Sequence, residues 1–307
     1  MILSLALFIQ DGGFLDHIDN IDRKRMNYLP EKIIDFHVHL FPDDFFEAIW
    51  KFFKKNYGLD VIDRLYARQC VEYLRDHGVG TIVYSNYAHK KGVANLLNAW
   101  NKEFLDGTDD IYCFAAFHPD DEDAMAIAED IISHPKVLGF KLQLLVQEFY
   151  PFDVRLFDLY ELVMEKNKRI LFHAGTGPVG NRYVGIDNFR KILVRYPDLP
   201  ANIAHMGGFE FKEFFDLLEN HKQLYLDTAF CFLPEPARMY TLGSWPIETY
   251  KDRILYGSDF PNIVFPRQVE IDALADMDLS EECYQRIFQG NARHLIALHT
   301  SGNHCPV

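Results

Sequence analysis

From residue 33 onward the chain alternates short apolar runs with longer stretches of helical spacing. The short runs, rich in Val, Ile, Phe and Tyr and closed by Gly, Pro, Asp or Asn, read as strands. They fall at 33–40, 81–86, 111–117, 137–142, 169–174, 201–205, 224–228 and 253–258. Helical spacing is expected at 43–57, 61–77, 91–105, 122–133, 153–167, 185–196, 209–220, within 234–250, at 266–275 and at 280–298. A strand always followed by a helix pairs in parallel with the next one, because the helix returns the chain to the same end of the sheet. About eight such units predict one closed (β/α)8 barrel of the TIM type. An open doubly wound sheet is the alternative, but its G-x-G-x-x-G fingerprint is read as missing.

The barrel is expected over residues 33–299, after an N-terminal extension at 1–32 and before a short tail at 300–307. Residues 1–9 are apolar but carry no positive flank or cleavage signal, and they are too short to span a bilayer. They read as a strand or strap against the barrel. The net charge of −14 repels phosphate backbones, so nucleic acid is not an expected partner. Five scattered cysteines without a C-x-x-C pair suggest free thiols and a cytoplasmic location. Self-association through apolar outer helices, giving a homo-oligomer, stays open.

In a barrel of this kind, chemistry gathers where the strands end. The first strand ends in Asp35-Phe36-His37-Val38-His39. Period-two alternation places Asp35, His37 and His39 on one face. Burying such groups unpaired costs roughly 1–3 kcal/mol each, and a divalent metal is the simplest shared partner. Two satisfied core histidines are the plainer explanation. The other strand ends supply His118, Lys141, His173, His205, Asp227 and Asp259. Imidazole and carboxylate together suit zinc, with iron, manganese or cobalt admissible.

The run of Asp35-Phe-His-Val-His39, Gly139-Phe-Lys141, Leu171-Phe-His-Ala-Gly175, Ala204-His-Met-Gly-Gly208, Tyr256-Gly-Ser-Asp-Phe-Pro261 and Gly290-Asn-Ala-Arg293 resembles the amidohydrolase superfamily, in particular its family 2. That resemblance implies a divalent metal, most simply one zinc ion, held by His37, His39, His173 and Asp259. It implies His205 and Asp259 as the groups that move protons. Lys141 matches a lysine that some two-metal relatives carry in carboxylated form; His173 and His205 would then serve the second ion. Unmodified, Lys141 would orient a substrate carboxylate. The implied reaction is hydrolysis of an amide, lactone or ester in a small molecule, with non-oxidative decarboxylation of an aromatic or enoic acid as the alternative. A metal-dependent phosphoesterase and a non-catalytic metal-binding protein are more distant readings.

Secondary positions stay open at this point. Asp35 is either an acceptor for a ligand histidine or a structural bond, His118 a loop or cap residue, and Asp227 ambiguous. Gln143, Gln147 and Arg182 lie in rim connections that either touch substrate or only shape loops. Residues 43–57 are expected to form a lid or wall. His77, His134, His221, His294 and His299 receive no chemistry, and Asn291 and Arg293 are expected to tie the last helix to the barrel.

Overall fold

The structure, a computed structural model, describes residues 27–57, 61–233 and 238–300. The expected strap at 1–9 lies outside the described residues. Eight parallel strands pair in sequence order: β1 (Ile33–His39), β2 (Val79–Ser85), β3 (Ile111–Ala116), β4 (Val137–Leu142), β5 (Arg169–Phe172), β6 (Ala201–Ile203), β7 (Leu224–Asp227) and β8 (Ile254–Leu255). Three backbone bonds join β1 to β8 and the turn after it. Phe36 N donates to the Tyr256 carbonyl at 2.9 Å, Asp259 N to that of His37 at 2.8 Å, and His39 N to that of Phe260 at 2.8 Å. The expected (β/α)8 barrel is therefore the fold.

Two apolar layers follow from the two faces of the strands. Ile34, Phe36, Val83, Phe114, Leu138, Leu171 and Leu255 fill the interior, together with Ala292, Leu295 and Ile296 of the closing helix Asn291–Thr300. A larger layer, including Val38, Tyr84, Phe140 and Phe172, packs between sheet and helices. Asp35 departs from the alternation expected of it. The pairing of β1 with β2 shifts register between Asp35 and Val38. A bulge reverses the facing of every later residue. Ile34 and Phe36 thus face inward low in the barrel, His37 and His39 face inward at its rim, and Asp35 turns outward to Arg267. Gly139 makes a similar shift in β4: its φ is 150°, and a Cβ there would meet the Arg169 carbonyl oxygen at 1.7 Å.

Most helices lie where apolar spacing puts them, and Asp43–Tyr57 matches its expected bounds. The second starts later than expected, at Ala67. Residues 61–66 run alongside the turn after β8 instead, with Ile62 N bonded to the Ile263 carbonyl at 3.2 Å. A four-residue helix, Leu144–Gln147, was not expected. Strands β6 and β8 are shorter than expected because the chain leaves extended geometry to build the rim. After β6, His205, Met206, Gly207 and Gly208 all have positive φ. This turn meets the loop after β5, where, contrary to the sequence reading, Gly175, Gly177 and Gly180 do have the G-x-G-x-x-G spacing, here packing two rim loops of a closed barrel. Gly175 packs on Gly207 and Gly177 on Gly208, so close that a Cβ at Gly175 would lie 2.1 Å from the Gly207 carbonyl carbon.

The bottom is tied off by polar bonds. Asn291 donates to the carbonyls of Lys251 at 2.6 Å and Ile254 at 2.7 Å, as expected of it. Arg293 is exposed and is not part of that tie. Lys168 supplies it, bonding the carbonyls of Val137 at 2.7 Å and His299 at 2.9 Å. Among the described residues no helix is long and apolar enough to cross a membrane. Cys70, Cys113, Cys231 and Cys283 are free and buried.

Two stability outcomes follow. Gly207→Ala would drive a Cβ to 2.0 Å from the Phe214 ring at a φ of 82°, whereas Gly78, at 83°, has nothing within 4 Å. Gly78→Ala should cost about 1–2 kcal/mol for the backbone alone, and Gly207→Ala roughly 2 kcal/mol more for the clash. Urea titrations giving equal losses would refute the packing assignment. Burial, helped by the charges of Arg169 and Lys168, holds His299 at about 3. An unfolded histidine protonates near 6.5. The unfolded chain therefore binds more protons below that pH, and stability falls from pH 6.5 towards 3 by up to ~1.4 kcal/mol per unit. His299→Asn keeps an N–H for the Asn167 carbonyl and should flatten the acid slope of Tm; parallel slopes would rule out His299 as its source.

Candidate metal centre

The rim assembles side chains from six strand ends. Nε2 of His39 lies 3.0 Å from Oδ1 of Asp259, and Nε2 of His37 lies 3.4 Å from the same oxygen. The ligating atoms of His37, His39 and Asp259 sit within 4.8 Å of one another, as do those of His37, His205 and Asp227. Lys141 Nζ is 3.4 Å from His37 Nε2. His173 stands beside His205, ring centroids 4.9 Å apart, at the edge of the three-residue groups.

Each ring is aimed by what its other nitrogen does. Nδ1 of His37 donates to Oδ2 of Asp227 at 2.9 Å. Nδ1 of His205 donates to the Ala229 carbonyl at 2.8 Å. Nδ1 of His39 lies 3.3 Å from the Ser85 carbonyl oxygen. A proton on Nδ1 of His37 and of His205 leaves a lone pair on Nε2, the form a cation needs, while Nε2 of His39 faces the Asp259 carboxylate. Nε2 of His173 is buried and has no hydrogen-bond partner. Convergent nitrogens, one of them unpaired, and a carboxylate fit a divalent cation of the zinc or manganese type.

Electrostatics agree with that donor set. Burial, followed by the charge of Lys141, pushes His37 well below its ordinary value, so its ring is neutral. Burial, followed by His205, does the same to His173. Burial pulls Asp259 upward, but the hydrogen bond and charge of His39 outweigh it and hold the carboxyl at about 2. Burial lowers Lys141 to about 8 against the pull of Asp227 and Asp259. Lys141 is fully buried beside His37.

Asp227 is the site residue whose role the sequence left ambiguous. Besides orienting His37, its Oδ1 accepts from the backbone N–H of His205 at 2.9 Å and of Ala229 at 3.2 Å. One carboxylate thus fixes both a ring and a loop; its place at the end of the seventh strand was the available signal. Asp35 does not serve a histidine ring. It accepts from Ser258 N at 3.1 Å and lies 3.5 Å from Arg267 Nε. His118 accepts from the amide of Asp120 at 3.2 Å and acts in its loop. Arg182 is exposed and lies over Tyr183. At helix ends, His77 bonds the Tyr73 carbonyl, His134 the Asp106 carboxylate and His221 the Pro197 carbonyl.

Above the cluster lies a cavity of about 320 Å³. Its floor holds His39, Gln143, His173, His205, Asp259 and Asn262. Its walls are apolar: Phe41, Leu145, Val146, Pro178, Val179, Phe230 and Val264, with Phe45, Ile49, Phe52 and Phe53 from the helix Asp43–Tyr57. That helix is the expected wall, while its Phe46 and Trp50 turn into the core. His89, which the sequence reading passed over, lies at the cavity margin just beyond β2.

Fold and site together define a parallel β/α barrel with a candidate metal centre at the carboxyl ends of its strands. The sequence matches the amidohydrolase family over residues 34–298, and the chain belongs to that family. Membership indicates an enzyme. Among solved structures, an uncharacterised TIM-barrel protein from Bordetella bronchiseptica is 17% identical, with a TM-score of 0.66, covering 87% of this chain and 99% of its own. A 5-carboxyvanillate decarboxylase from Novosphingobium aromaticivorans, complexed with manganese and 4-hydroxy-3-methoxy-5-nitrobenzoic acid, is 13% identical with a TM-score of 0.66 over 86% and 96%. A dihydroorotase from Campylobacter jejuni is 15% identical with a TM-score of 0.51 over 86% and 82%. These likenesses are of fold. No curated protein matches the sequence.

Because Asp227 satisfies one ring and two backbone donors, Asp227→Ala should lower the unfolding free energy by roughly 3 kcal/mol or more. Asp227→Asn, which keeps one acceptor, should lose about 1–3 kcal/mol. Chemical denaturation of the two variants checks the order; a neutral alanine variant would contradict the assignment.

Proposed function

We propose that this protein is a metal-dependent hydrolase that cleaves an amide, lactone or ester bond in a small, largely apolar molecule. The observation that carries the reading is the convergence of His37, His39 and Asp259, the last two of which line the floor of a cavity with apolar walls. His37, His39, His173 and Asp259 would hold one divalent cation, with zinc the ion proposed. A bound cation of this kind supplies Lewis acidity, polarising a carbonyl and making hydroxide available near neutral pH.

The chain's own residues supply the rest. His205 lines the cavity, and its Nδ1 is tied to the Ala229 carbonyl, so Nε2 is the atom that takes up or returns a proton. Asp259, held ionised, is a second proton acceptor on the same floor. The aromatic walls bind the apolar body of the substrate and exclude water from it. Lys141, held at about 8, has a share of neutral amine at neutral pH, the form that reacts with carbon dioxide. Its carboxylation would convert the site to a two-ion centre served by His173 and His205.

Elemental analysis should find about one ion per chain, or about two with Lys141 carboxylated. Replacing both His37 and His39 with Ala should abolish binding; full occupancy in that variant would refute the ligand set. His205→Ala should keep the metal and lose about 10²–10⁴-fold in kcat. Turnover should appear on a panel of aryl and alkyl lactones, esters and amides. Carbon dioxide release from aromatic or enoic acids, with no hydrolysis on that panel, would replace this reading with decarboxylation.

A further inference from the structure

The connection after β4 holds an arrangement that the ligand set alone does not use. Gln143, the first residue after the strand, is buried on the cavity floor with its Nε2 3.3 Å from Nδ1 of His173. Its Oε1 has no hydrogen-bond partner, and neither does Nε2 of His173. The two unpaired atoms belong to one problem. With the amide nitrogen towards Nδ1, the ring accepts there and carries its proton on Nε2. A half-turn of the amide puts Oε1 towards Nδ1, which then donates to it and frees the Nε2 lone pair. The second arrangement alone leaves Nε2 able to bind a cation.

The residue is held in place by a dedicated brace. Gln147 Oε1 accepts from the backbone N–H of Gln143 at 2.8 Å. Gln147 Nε2 donates to the carbonyls of Ala88 at 2.9 Å and Phe117 at 2.8 Å, in the connections after β2 and β3. The Gln143-x-x-x-Gln147 pair, one turn of the helix Leu144–Gln147, thus ties three rim connections together beside His173.

We propose that Gln143 is the positioning residue of His173: its amide selects the ring tautomer, turning oxygen to Nδ1 when Nε2 takes a cation. The assignment rests on the metal reading above and adds a residue to it. The test is zinc affinity, measured by chelator competition on the full chain. Gln143→Leu, which offers no acceptor, should weaken zinc binding about 10–100-fold. Gln143→Glu, which offers only acceptors, should restore it to the wild-type value or tighter. Equal affinity in wild type and Gln143→Leu overturns the assignment and leaves the metal centre standing, whereas a wild-type chain that binds no zinc overturns both. Independently of any variant's folding, nitrogen-15 NMR of histidine-labelled, zinc-loaded wild type should show the His173 proton on Nδ1; a proton on Nε2 overturns the proposal.

Discussion

The hydrogen bond between His37 and Asp227 is the interaction on which the rest of the rim depends. It joins residues 190 positions apart, one on β1 and the other at the end of β7, and both are buried. A carboxylate removed from water needs several donors to remain there. Asp227 finds them in a ring and two backbone amides, so its burial simultaneously orients His37 and shapes the turn that carries His205. The same logic operates on the outer face, where Asp35 accepts from Ser258 N and lies beside Arg267. Two carboxylates on opposite faces of the barrel wall thus brace the strand ends that carry the candidate ligands.

The backbone bears strain at the same places. Asp259 has a φ of 61°, and His205 and Met206 have 57° and 50°. Each such non-glycine residue costs of order 1–3 kcal/mol. The packing that holds them is the glycine contact between the loops after β5 and β6 and the backbone bond from Asp259 N to the His37 carbonyl. Strain concentrated at groups proposed to bind a cation and move a proton is the pattern of a preorganised centre.

Much of this was legible in the sequence. Eight strands, their order and the rim histidines follow from apolar periodicity and from the rule that barrel chemistry sits at strand ends. The facing of Asp35 was not, because period-two alternation assumes an unbroken register and the bulge in β1 reverses it. The roles of Asp227 and Gln143 were unreadable for another reason: each depends on a partner far away in the chain. The late start of the second helix has a similar cause, since residues 61–66 are held by a contact with residue 263. Local pattern identifies elements and ends; it does not say which distant group satisfies a buried polar atom.

The seam between β1 and β8 has a consequence for how such a chain matures. The bond from Ser258 to Asp35 spans 223 residues. Non-local closures of this kind form late, after the entropy of a very large loop has been overcome. During synthesis the first half of the proposed ligand set, His37 and His39, therefore precedes its partner after β8, Asp259, which lies 220 residues beyond His39. Loading of the proposed ion would then come last, in molecules whose two distant segments have already found each other.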